Sequence, residues 1–153
     1  MRISLLLFGF LFFISGLVNA QPLLDQVKNS DFLLEGNLAI LTCEGKKSLV
    51  SVGTATVDTT KPSLVKQAMI IAKVNAQNQL SKFIHEAKIY VTETLENQLQ
   101  VIDEIGKPSS RKQKQIYFEQ IKETSEGALR NIVSVGSWSE NDMYFYVIAI
   151  PLD

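Results

Sequence analysis

Apolar residues recur along this chain with two different periods, and the switches between them divide it into elements. Residues 37–43, NLAILTC, and 47–57, KSLVSVGTATV, are short runs dense in Val, Leu, Ile and Thr, the composition of strands. Between them EGKK is polar and carries Gly45, so the pair predicts a hairpin. In the second run, period two places Leu49, Ser51, Gly53, Ala55 and Val57 on one face, and Val50, Val52, Thr54 and Thr56 on the other. The first face is small in its middle. That is the mark of a strand which a helix approaches closely.

The period then changes to 3.6. Thr60 is placed as an N-cap and Pro62 falls in the first turn, where its missing N–H does no harm. Val65, Ala68, Met69, Ala72, Ala76, Leu80 and Phe83 share one stripe of this helix, and its central alanines suit a close approach to the small face of the strand. Ile70, Ile71 and Val74 lie opposite that stripe. They call for cover from the 23–34 segment or from another protomer. The strand–loop–helix order invites a phosphate-binding reading, but such a loop needs several glycines to converge backbone N–H groups on the anion. Here Gly53 stands alone inside the strand, and Lys61-Pro62 opens the helix. The stretch is scaffold.

The remaining segments are less uniform. Residues 23–36 carry a weak helical pattern in Leu23, Leu24, Val27, Phe32, Leu33 and Leu34. In 86–106, Val91, Leu95, Leu99 and Ile102 step at helical spacing towards Gly106, while KIYVT alone suits a short strand. A polar loop at 107–114 leads into a second helix with Phe118, Ile121 and Ser125 facing inward and Gly127 at its end. The chain closes on a hairpin, Leu129 to Trp138 and Met143 to Ile150, around SEND. Both faces of its last strand are apolar: Met143, Phe145, Val147 and Ala149 on one, Tyr144, Tyr146, Ile148 and Ile150 on the other. Such a strand is covered on both sides, or its tyrosine face is an interface. The sum is an α+β fold: an antiparallel sheet of three to four strands in ββ-α-(α)-ββ order, covered by one long helix, with a second, shorter helix.

The amino terminus changes the address of this domain. MRISLLLFGFLFFISGLVNA has one positive charge, at Arg2, an apolar run to Val18, and the small-residue triplet Val18-Asn19-Ala20. It is expected to be a signal peptide over residues 1–20, cut after Ala20, because the run is too short and too interrupted for a retained anchor. Residues 21–46 then form an amino-terminal segment with the first strand, and 47–153 the helix-on-sheet part, together one domain. No transmembrane span is expected after cleavage. A bacterial lipoprotein needs cysteine directly after the cut, and Gln21 stands there, so no lipid anchor is expected. With 15 basic and 16 acidic side chains the chain lacks a nucleic-acid footprint. Its one cysteine, Cys43, gives no internal disulfide framework and is expected to be buried.

Candidate chemistry is sparse. His85, the one histidine, sits near the end of the long helix, where it suits the helix C-terminus better than a general base. No thiol-enzyme signature surrounds Cys43. One histidine and one cysteine fall short of the ligand supply of a zinc site, so no cofactor or metal is expected. The carboxylates Glu93, Glu96, Asp103, Glu104, Glu119, Glu123 and Glu126 lie on otherwise polar segments and suit a solvated face. The basic loop of Lys107, Arg111, Lys112 and Lys114 suits the same reading.

The order of VSVGTATV, PSLVKQAMIIAKVNAQNQLSKFI, a variable middle, TSEGALRNIVSVGSW and NDMYFYVIAIP is similar to a family of small bacterial envelope domains. These include the twenty-kilodalton lipoprotein type and the amino-terminal domain of a flagellar T-ring assembly protein. The resemblance spans about residues 47 to 151. It implies helix on antiparallel sheet, a periplasmic or outer-membrane address, and assembly without catalysis. The lipoprotein members carry a lipidated cysteine at the mature start, which this chain lacks. The expectation is therefore an exported structural or assembly component of an envelope complex, flagellar or of secretion type, that contacts envelope proteins or itself. Trp138, Tyr144, Tyr146, Ile70, Ile71 and Val74 are its expected contact residues. The alternatives are a periplasmic oligomeric module holding an apolar small molecule and, less in keeping with the residues, a Cys43-dependent enzyme.

Overall fold

The computed structural model describes residues 20–89, 100–102 and 129–152. Helices α1 (Ala20–Lys28) and α2 (Asp31–Leu34) lead into strands β1 (Leu38–Cys43) and β2 (Lys46–Thr56). The long helix α3 (Pro62–Ile89) follows, then the short strand β3 (Gln100–Ile102), a 3₁₀ turn at Leu129–Asn131, and strands β4 (Val133–Glu140) and β5 (Met143–Pro151). One five-stranded sheet results, ordered β3-β1-β2-β5-β4. Four of these strands are antiparallel and stand in the expected order around the long helix, so the α+β class holds. The fifth adds to expectation: within 86–106, where the pattern left helix and strand open, β3 pairs parallel to β1, with Ile40 opposite Val101 and Leu41 opposite Ile102. The expected second helix after residue 114 lies outside the described residues, as does the expected signal peptide apart from Ala20, the first residue of α1.

Both hairpins close through residues in the left-handed region. Glu44 and Gly45 have φ of 52° and 75°, and Asn141 and Asp142 have 51° and 61°. Paired positive φ values give a two-residue turn whose twist matches that of the strands, so each link is tighter than EGKK or SEND suggested. Asn and Asp tolerate this conformation through local polar contacts.

β2 and β5 are the central pair, and each is covered on both sides. Above the sheet, Leu38, Ile40, Leu49, Ile148, Ile150 and Leu152 pack with Ala76, Leu80, Phe83 and Ile84 of α3. Further along the same layer, Val57 and Tyr144 meet Ala68 and Ala72. Below, Ala39, Leu41, Val50, Val52, Val135, Phe145, Val147 and Ala149 pack with Leu23 and Val27 of α1 and Leu33 of α2. The apolar character of both β5 faces thus comes from a central strand between two layers.

The upper layer is set by Gly53. A Cβ built there would stand 1.8 Å from the Ala72 carbonyl oxygen and 2.5 Å from the Ala76 nitrogen. The α3 backbone therefore rests directly on the strand, and only glycine beneath alanine permits it. Ser51 adds a polar stitch, its Oγ lying 2.9 Å from the Ala76 carbonyl and 3.0 Å from Gln79 Oε1. Gln79 Nε2 donates to the Gly36 carbonyl at 2.9 Å, and Asn75 Nδ2 to the Thr54 carbonyl at 2.9 Å. These bonds fix the helix along the strand as well as against it.

The entry to α3 differs in detail from expectation. The Thr60 hydroxyl and amide both donate to Asp58 Oδ1, at 2.6 and 3.0 Å, so Thr60 turns back to its own loop. These donors hold the Asp58 carboxyl below its ordinary pKa. The first helical amides instead reach the Lys61 carbonyl, accepting from Leu64 and Val65 at 3.0 and 3.2 Å. Pro62 opens the helix where an N–H would be without a partner. The 23–34 pattern resolves into two helices because Ser30 breaks it: its Oγ accepts the Leu33 amide at 3.4 Å, capping α2.

Candidate interaction surface

The six residues expected to share a contact surface fall in three places. Ile70, Ile71 and Val74 project from the outer side of α3, 51%, 45% and 44% exposed, and are the large apolar side chains exposed among the described residues. Helices α1 and α2 do not cover them, since those pack on the far side of the sheet. Of the two kinds of cover the sequence allowed, the 23–34 segment is thereby ruled out.

Tyr144 is in the upper layer, 8% exposed, against Ala68 and Ala72, and its hydroxyl donates to Ser137 Oγ at 3.0 Å. Its phenol completes the core. Tyr146 is half-buried at the flank of α3, its hydroxyl 2.8 Å from Ser134 Oγ and its ring 5.8 Å from Lys73 Nζ. Trp138 belongs to the opposite layer. Its ring stacks on Phe145 at 4.9 Å and 15°, and Lys28 Nζ of α1 sits 4.9 Å from its centroid. The tryptophan is thus a bracket between β4 and α1. The structure brings together Ile70, Ile71 and Val74, places Tyr146 beside them across Lys73, and separates Tyr144 and Trp138 from them.

The surroundings of the isoleucine–valine patch were not singled out from the pattern. Gln67 and Asn78 extend the outward stripe by a turn in each direction, and both are exposed. Lys66 and Lys73 are exposed along one flank. From Lys61 to His85 the chain holds no Asp or Glu. The first carboxylate on the helix is Glu86, 3.8 Å from Lys82. This one-sided charge is legible in the sequence once the outward face is known.

The two residues considered for chemistry stand apart. Cys43 is half-buried at the end of β1 and packs with the lower layer, whereas His85 is exposed on α3 above the sheet. The sheet lies between them. Among the described residues no group of three or more His, Cys, Asp or Glu is placed to hold a metal ion. No described helix is long and apolar enough to cross a membrane.

Neither a family model nor a curated protein matches this sequence.

Proposed function

We propose that the chain is an exported, non-catalytic assembly component of a bacterial cell-envelope complex, acting through protein contacts made by the outer side of α3. One observation carries this reading. A helix bonded to its sheet from Ser51 to Thr54 presents three branched aliphatic side chains to solvent at its middle. Aliphatic patches of this kind, rimmed by polar residues, mark interaction sites. The rigid seating of α3 also keeps the patch preorganised, which lowers the entropy lost on association. The amino-terminal leader and the resemblance to envelope domains support the compartment.

The test is mild crosslinking of the tagged protein in intact cells, followed by size separation of the solubilised envelope. Wild type is expected to migrate with a large defined complex. The triple variant Ile70→Ser, Ile71→Ser, Val74→Ser is expected to fold and to migrate freely. A wild-type protein that runs as a free monomer or small homo-oligomer would overturn the assembly reading.

A further inference from the structure

We infer that the outer face of α3 seats an acidic, aliphatic segment of a partner protein, with carboxylates of the partner meeting Lys66 and Lys73. This rests on the assembly reading and names the chemistry of the partner that reading requires. Three occupants from outside the chain are chemically conceivable for an exposed aliphatic patch: a second copy of the same face, a lipid surface, or a different protein.

A second copy is disfavoured by charge. From Pro62 to His85 α3 carries three lysines, Lys66, Lys73 and Lys82, and no carboxylate. A symmetric contact between two such faces repeats the same patch on both sides. It therefore places lysines and amides against lysines and amides, with no opposite charge available, and like charges across a contact oppose pairing.

A lipid surface is disfavoured by the polar members of the stripe. Gln67 and Asn78 are exposed on the same outward side as the patch. Their amides would lose hydrogen bonds on entering hydrocarbon, at a cost that three short aliphatics poorly offset. A membrane-surface helix also carries cations along its polar face and large aromatic or leucine anchors on the other. Here the anchors are Ile70, Ile71 and Val74 alone, and the exposed lysines beside them line one flank.

A protein segment satisfies each feature at once. Its aliphatic side chains cover Ile70, Ile71 and Val74, its backbone or side-chain polar groups pair with Gln67 and Asn78, and its carboxylates face the Lys66–Lys73 flank. Lys73 is already held near this flank, its ammonium 5.8 Å from the Tyr146 ring. A cation restrained by an aromatic neighbour loses less freedom on pairing than one swinging in solvent.

The experiment places a photo-crosslinking amino acid at Val74 in the full chain, in intact cells of its source, and sequences the crosslinked peptide by mass spectrometry. The expected adduct is to a different protein, at a segment bearing aliphatic residues with at least two carboxylates nearby. The double variant Lys66→Glu, Lys73→Glu should lower the adduct yield by about ten-fold, since reversal turns attraction at the rim into repulsion. Both positions are exposed, so thermal unfolding should be unchanged, and Lys46→Glu at the β1–β2 turn serves as a charge control that leaves the yield intact. Adducts to lipid, to this chain itself, or to a protein segment without carboxylates overturn the inference. So does a yield that the double reversal leaves unchanged. If any of these occurs while wild type still migrates in a large complex, the partner chemistry is wrong and the assembly reading stands. If wild type runs free, both fall.

Discussion

Two glycines show how differently one residue type acts in this molecule. At Gly53 the backbone is ordinary strand, and the restriction is space: the α3 backbone fills the volume that a side chain would need. At Gly45 a Cβ would meet nothing within 4 Å, and the restriction is the φ of 75°. Gly53→Ala must push the whole helix off the sheet and break the Ser51 and Asn75 bonds with it. The expected loss is about 3 kcal/mol or more, in the range reserved for overpacking a core. Gly45→Ala strains one turn residue, with an expected loss of about 1 kcal/mol. Urea unfolding of the two variants should therefore differ clearly in midpoint. Equal losses would mean that α3 does not rest on Gly53 as described.

At the level of the element, α3 has two faces under opposite constraints. On the inner face Ala72 and Ala76 are fully buried with backbone contact to the strand, so Ala76→Leu adds volume where none exists. A loss of roughly 1 to 3 kcal/mol is expected, with Tm falling accordingly. On the outer face Ile70→Ala removes methyl groups already half in water, and a change within about 0.5 kcal/mol is expected. A large loss at Ile70 would show that the outer face is covered within the monomer. The inner face was legible in the sequence, because Gly53, Ser51 and Ala55 alternate on a strand just before alanines at helical spacing. The outer face was legible as an anomaly, Ile70, Ile71 and Val74 opposite the main stripe. What periodicity did not settle was Tyr144 and Trp138. An apolar β5 face has the same pattern whether a helix of its own chain or a partner covers it, and only the position of β5 beside β2 decides. Trp138 was drawn into the surface for a similar reason: alternation gives its face, but not that α1 returns beneath the sheet to meet it. The parallel strand β3 carries three residues, too few for either period to register.

At the scale of the molecule, the described residues form a sheet held between unlike covers. The upper cover is one long helix locked by backbone contact and hydrogen bonds. The lower is α1 and α2, short helices that bury Leu23, Val27 and Leu33 against Val50, Val52 and Val147. Helices of nine and four residues do not stand alone in water, so α1 and α2 exist because the sheet is there. Conversely, the lower face of β2 and β5 would be open without them. The two must form together, which makes the segment after residue 20 part of the folded unit and not a tether leading to it. Trp138, the only tryptophan, stands at this junction between Phe145 and Lys28 and reports on it. If the lower layer belongs to one cooperative unit, the Trp138 emission change and the loss of far-ultraviolet ellipticity should coincide in urea. Leu23→Ala should then shift both transitions together, by about 2 to 5 kcal/mol for a buried leucine whose site cannot collapse. Emission that changes first, at lower urea than ellipticity, would separate α1 from the rest. The domain would then be a helix-on-sheet core with a detachable amino-terminal arm, and the lower face, not only the outer side of α3, would become open to a partner.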